Sequence, residues 1–299
     1  MPQSGVTSTR SLVIAIVVML LLFSAVGFLD RVANEDSNAF RISRSGGKVT
    51  IIENNPQAVS AVQNAMMPLR QTSEGVITYV EAIDTCNWAF VGECINVRSG
   101  PGTDYPAVMK LRKGVVLRVD KVVRNNYRDW YKITFDEFVR YPERLGAELY
   151  VARDAVQSFE MPAPHDFRES ERRDDNKRII IDLSEQALYA YDGDKLFMLA
   201  DVSTGLDGIP TPLGAYEIFR KTPSRYMQGP IPGQTSDEYD LPGVPWTMYF
   251  TDDGAAIHGA YWHDEFGFQH SHGCVNMPLY LARKLYEWTP QGTLVIVQS

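Results

Sequence analysis

The chain has 299 residues, enough for two modest domains plus connecting segments, and its 44% hydrophobic and 11% aromatic content allows packed cores. Its formal net charge is -8, with no basic stripe anywhere, which argues against a nucleic-acid partner because phosphate backbones select clustered Lys and Arg. An uncharged or cationic polymer suits such a surface better.

Residues 11–29 carry no charged side chain. At helical rise this run spans roughly 28 Å, close to the hydrocarbon thickness of a bilayer. Arg10 precedes it, whereas Asp30, Arg31, Glu35 and Asp36 follow it. The positive-inside rule then puts residues 1–10 in the cytoplasm and everything after 29 outside it. A cleaved signal peptide is the rival reading, with Ser24-Ala25-Val26-Gly27 as a weak cleavage site. The run is long for a signal segment, so a retained transmembrane anchor is the expectation.

Residues 30–75 mix Asn, Ser, Gln, Gly and Pro and read as a stalk, with a short strand at 48–52 and weak helical periodicity at 59–69. Residues 76–160 read as short strands separated by turns. The runs 76–80, 115–119 and 130–135 are β-rich, and Ser99-Gly100-Pro101-Gly102 signals a tight turn. Within this region Cys86 and Cys94 suit the two ends of a short loop. In an oxidising compartment they read as a disulfide, the alternative being two buried thiols. Residues 161–176, rich in Pro and charge, form a linker.

The last segment, 177–299, is again mostly β. Runs 179–183 and 187–191 predict a hairpin, and Asp192-Gly193 turns the chain into 196–203. Pro278 opens a helix with Leu281, Leu285 and Trp288 on one face, Gly292 stops it, and 293–297 closes the fold as a strand.

Chemistry concentrates at Ser271-His272-Gly273-Cys274-Val275-Asn276. Cys274 is the cysteine left over once Cys86 and Cys94 pair, and an unpaired exported cysteine points to reactivity. A thiol needs a base or a positive environment to become a nucleophile, and attack on a carbonyl needs donors for the developing oxyanion. The backbone amides around His272, Gly273 and Cys274 supply such donors, and the helix after Pro278 offers a positive end. Upstream, Ile257-His258-Gly259 follows an apolar run, which puts His258 at a strand terminus as the base. The Gly259 carbonyl is placed to orient the second ring nitrogen. Zinc ligation by His270, His272 and Cys274 is the weaker alternative, since alternate positions on one turn give a poor tetrahedron. The Pro- and Gly-rich stretch 229–243 is long for a compact domain and suits a lid over substrate.

Two resemblances follow from these residues. Asn96-Val97-Arg98-Ser99-Gly100-Pro101-Gly102-Thr103, with Lys113-Gly114 and Trp130-Tyr131-Lys132-Ile133, resembles a bacterial SH3-type domain, in which 136–148 looks like an insertion. The ordered set Ile181 to Gln186, Val202-Ser203-Thr204-Gly205, Thr211-Pro212-Leu213-Gly214, Val244 to Phe250, Ile257-His258-Gly259 and the Cys274 motif resembles the L,D-transpeptidase (YkuD) catalytic domain.

These resemblances imply a mainly β fold: a small SH3-like barrel, then a YkuD-type β-sandwich with one C-terminal helix near the active site, behind an N-terminal transmembrane helix. They imply Cys274 as acylated nucleophile, His258 as general base, and an oxyanion hole from His272, Gly273 and Cys274. Tyr249, Trp262, Ser271 and Asn276 would line the substrate cleft; many relatives carry Arg at the position of Asn276. The implied activity is 3→3 cross-linking of peptidoglycan stem peptides in the cell envelope, without metal or organic cofactor, and a carbapenem would form an adduct at Cys274. The same pair of residues would also serve an L,D-carboxypeptidase or a protein-to-peptidoglycan transferase. A non-catalytic wall-binding scaffold is the remaining alternative.

Overall fold

The computed structural model describes residues 41–45, 48–52, 75–83, 95–146, 148–172, 176–231 and 236–299. The chain divides into two units, Met1–Ala65 and Met66–Ser299. In the first, β1 (Arg41–Ser45) and β2 (Lys48–Ile52) pair antiparallel. The helical run expected at 59–69, the apolar run 11–29, Cys86 and Cys94 lie outside the described residues.

The second unit begins with β3 (Val76–Ala82), β4 (Ile95–Arg98), β5 (Ala107–Leu111), β6 (Val116–Asn125), β7 (Arg128–Thr134), β8 (Leu149–Ala152) and β9 (Val156–Pro162). They make one sheet in the order β5-β4-β8-β7-β6-β3-β9. Arg98 pins the tight turn between β4 and β5 by donating to the Tyr105 carbonyl at 2.7 Å and the Thr103 carbonyl at 3.2 Å.

This sheet corrects the expected barrel. Among the described residues no pairing joins β5 to β9, so the sheet stays open. The cause is visible in β3, which pairs with β6 only over Tyr79–Glu81 but with β9 along its whole length. The β3–β9 ribbon turns its Ile77, Phe159 and Met161 onto the core of the following sheets. Apolar burial there replaces the edge-to-edge hydrogen bonds that closure would form. The expected membrane-spanning helix is likewise unsupported: no helix among the described residues is long and apolar enough to cross a bilayer.

The rest of the unit is two sheets around one core. The first runs β12-β11-β10-β18-β13, from β10 (Lys177–Asp182), β11 (Ala187–Asp192), β12 (Lys195–Asp201), β13 (Gly214–Glu217) and β18 (Leu294–Gln298). The second runs β14-β15-β16-β17, from β14 (Arg220–Gln228), β15 (Asp240–Tyr249), β16 (Ala256–Gly259) and β17 (Val275–Met277). Alternation explains the packing: Ile179 and Ile181 of β10 face inward with Val295 and Val297 of β18, opposite Met248, Ile257, Val275 and Met277. Helix α1 (Leu279–Trp288) lies against β15 and β16. Its buried face is Ala282, Leu285 and Tyr286, with Leu281 and Trp288 at the margin. The mainly β character and the single C-terminal helix thus match the sequence reading.

Candidate active site

Strands β16 and β17 run parallel, with Ile257 opposite Val275, His258 opposite Asn276 and Gly259 opposite Met277. Ile257 and Val275 are fully buried in the core, so the alternate residues point to the other face. Asn276 therefore shares a face with His258. Cys274, two residues before Asn276, continues that row beside Ala256, whose backbone amide hydrogen-bonds the sulfur. The register alone thus brings residues 258 and 274 to one side of the sheet.

The turn that presents Cys274 is tied down from outside the sheet. Ser203 and Asn276 exchange backbone hydrogen bonds at 3.0 and 2.9 Å, and the amides of His270 and Ser271 donate to the Thr204 carbonyl at 2.9 and 3.0 Å. Gln186 holds Thr204 in turn, donating to its hydroxyl at 2.7 Å and accepting its amide at 3.0 Å. The Cys274 carbonyl accepts the Ser271 hydroxyl at 2.5 Å and the Thr211 hydroxyl at 3.4 Å. Gly273 sits at φ 103°, a region L side chains avoid. Nothing crowds it, since an added Cβ would meet its nearest neighbour, the Pro210 carbonyl, at 3.7 Å. Backbone conformation, rather than space, demands glycine here.

His258 is buried, and its Nδ1 lies 3.2 Å from the Gly259 carbonyl oxygen. A carbonyl only accepts, so Nδ1 carries the proton and Nε2 keeps its lone pair. Gly259 has a second effect: lacking a side chain, it lets Pro245 and, from α1, Leu279 and Ala282 approach its backbone closely. Burial pushes the imidazole down to about 4, against the hydrogen bond to Gly259 and reinforced by His263.

The half-buried Cys274 thiol is pushed up by burial, with the Ala256 amide and Arg225 opposing and Asp253 adding to the rise. It donates weakly to the Gly254 carbonyl at 3.9 Å. The resting pair at neutral pH is therefore a thiol and a neutral imidazole. The positive helix end expected to favour a thiolate is displaced, because the three residues of β17, about 10 Å of strand, separate the thiol from α1. The cation that acts to lower the thiol's pKa is Arg225.

The other predicted residues fall in three places. Trp262 flanks His258, the two ring centres lying 5.7 Å apart. Asn276 is buried and its Nδ2 lies 2.9 Å from His263 Nε2, while His272 Nε2 meets Asp237 Oδ2 at 2.8 Å and stacks on Tyr239 at 5.5 Å. Tyr249 is buried, and its hydroxyl donates to Glu137 at 2.7 Å instead of standing open to a cleft. Asp237 and Tyr239, just before β15, thus lie against the turn that presents Cys274. Among the described residues, no group of three or more His, Cys, Asp or Glu is arranged to hold a metal ion.

Sequence reasoning missed Arg225, Glu137 and the holding role of Thr211. The ion pairs of Glu137 with Arg220 and Arg225 span 83 and 88 residues of chain, and no local pattern announces such partners. Thr211 did stand inside a recognised motif, so its signal was present without its reason.

Comparison with known families places residues 176–297 in the L,D-transpeptidase catalytic domain and residues 95–142 in the bacterial SH3 domain. Comparison with curated proteins gives no match. Among solved structures, an L,D-transpeptidase from Mycobacterium smegmatis is similar at 16% identity over 61% of this chain and 99% of that one, with a TM-score of 0.40. The catalytic domain of an E. faecium L,D-transpeptidase is similar at 26% identity over 41% of this chain and 96% of its own, with a TM-score of 0.36. L,D-transpeptidase 3 from Mycobacterium tuberculosis, in complex with a faropenem-derived adduct, is similar at 17% identity over 60% of this chain and 98% of its own, with a TM-score of 0.40.

Proposed function

Residues 176–297 are an L,D-transpeptidase catalytic domain preceded by a bacterial SH3 domain, and from that premise we propose that the protein cross-links peptidoglycan stem peptides through a thioester on Cys274. One observation carries the reading: the parallel register of β16 and β17 puts His258 and Cys274 on one face, with Nδ1 engaged by Gly259 and Nε2 free to accept a proton.

In the proposed first step, His258 Nε2 takes the thiol proton as sulfur attacks the carbonyl of the third residue of a donor tetrapeptide. The C–N bond breaks, the imidazolium returns its proton to the leaving amine, and terminal D-Ala departs. The Gly273–Cys274 backbone stabilises the oxyanion. In the second step the side-chain amine of a neighbouring stem's third residue attacks the thioester while His258 accepts its proton; the C–S bond breaks, the imidazolium returns that proton to the Cys274 sulfur, and a 3→3 cross-link is released. Burial of the imidazole favours this general-base route over a preformed ion pair, because the isolated cation is costly there. Stem peptides lie outside the cytoplasm, so the domain works there.

Incubation of the full chain with tetrapeptide muropeptides, followed by mass spectrometry, tests the reading. Cross-linked dimers are expected, and none with Cys274→Ala. Trimmed tripeptides without dimers would reassign the enzyme as a carboxypeptidase, and unchanged substrate would leave only wall binding.

A further inference from the structure

The segment that follows β7 carries two adjacent acids into the sandwich. Asp136 accepts from Tyr79 at 2.8 Å, from Thr222 of β14 at 3.0 Å and from Arg118 at 3.3 Å. Glu137, with a side chain 6% exposed, is ringed by three donors. Its Oε1 receives Arg220 Nε at 3.1 Å, while Oε2 receives Tyr249 at 2.7 Å and forms the ion pair with Arg225. Burial would push this carboxyl up, yet Arg225 and Arg220 outweigh it and hold it below the usual range.

The ring of donors is itself anchored. Arg220 is braced from its other side by Asp166 at 2.9 Å. Tyr249 is paired in register with Ala256, the residue whose amide reaches the Cys274 sulfur. The position of the Glu137 carboxylate is therefore over-determined, and Arg225 hangs from it. The guanidinium lies 5.6 Å from the Tyr249 ring centre, and cross-strand partners share a face, so Arg225 stands on the side of the sheet where Ala256 meets the Cys274 sulfur.

An arginine with a side chain 29% exposed would otherwise swing to water, where its charge is better solvated. We infer that Glu137, which lies within the SH3 match and outside the catalytic-domain match, is a positioning residue of the catalytic centre: it holds Arg225 where the guanidinium stabilises the Cys274 thiolate. Asp253 opposes Arg225 at the sulfur, and Tyr239 and His258 are the other titratable groups that face it. The preceding domain is then part of the active site.

This inference rests on Cys274 being the nucleophile but not on any particular acceptor, so its test avoids peptidoglycan. The rate of Cys274 alkylation by iodoacetamide is followed against pH in the full chain. Arg225→Gln should slow alkylation about three- to tenfold at pH 7.5 and move the midpoint upward, because reactivity follows the thiolate fraction. Arg225→Lys should restore part of the rate. Glu137→Ala should shift the midpoint the same way, and the double variant should be no slower than Arg225→Gln alone.

Where Glu137→Ala does not fold, Glu137→Asp keeps the buried charge but draws it back by one methylene, and should give a smaller shift in the same direction. An unmoved midpoint in Arg225→Gln or in the folded Glu137 variant would overturn the inference. So would additive losses in the double variant. Muropeptide cross-linking decides the transpeptidase reading separately: intact cross-linking with unmoved midpoints sinks this inference alone.

Discussion

The phenol of Tyr249 donates to the carboxylate of Glu137 at 2.7 Å, joining the last residue of β15 to the segment that follows β7. Removing the hydroxyl leaves a buried carboxylate short of one donor, at a cost of about 1.5–3 kcal/mol. Tyr249→Phe should therefore lower the melting temperature while leaving KM for the donor peptide nearly unchanged. A raised KM at unchanged melting temperature would return the phenol to the substrate cleft.

His258 gives a pH signature in stability. Its folded pKa of about 4 lies below the unfolded value near 6.5, so the unfolded chain binds the proton first as pH falls. The stabilisation from keeping this imidazole neutral is complete above pH 6.5 and is lost on descending toward 4, by about 3 kcal/mol in all. Denaturant titrations at pH 7 and pH 4.5 should show that decline, and a folded His258→Gln variant should show a shallower one. Equal slopes would mean that the imidazole titrates normally.

The same neutral pair predicts how the sulfur meets an acylating drug. A carbapenem should add once per chain, at Cys274, seen as a single mass increment that Cys274→Ala abolishes. An unmodified wild-type mass under saturating drug would contradict the assignment of the nucleophile.

Gly273 offers a test of the turn. Its φ of 103° strains any L side chain, at about 1–3 kcal/mol, although the space around it is open. Gly273→Ala should fold, melt a few degrees lower, and lose one to two orders of magnitude in kcat as the oxyanion donors turn away. Wild-type kcat in that variant would show that these amides do not serve the reaction.

The sequence made the local elements readable and hid the long-range ones. The β10–β11 hairpin, α1 and β18 followed from alternation, a proline and a glycine. Strand β14 did not, because Thr222, Ser224 and Gln228 are buried polar residues and Pro223 interrupts the run, so no apolar rhythm marks it. His258 and Cys274 stood out as residue types near glycines, but their common face comes from a parallel pairing that spacing does not encode. The open sheet was missed for a similar reason: the β3–β9 ribbon is claimed by a core assembled from strands that follow it in the chain.

Parallel neighbours cannot be joined by a tight turn, so the chain between β16 and β17 must travel out and return. That excursion, residues 260–274, carries Trp262, His263, His270 and His272, while its two ends stay clamped in the sheet. The stretch before residue 270 can therefore vary in length or composition while the turn that presents Cys274 keeps its hydrogen bonds to Thr204. Under the proposed function, that earlier stretch is where substrate preference could change while the pairing of His258 with Cys274 stays fixed.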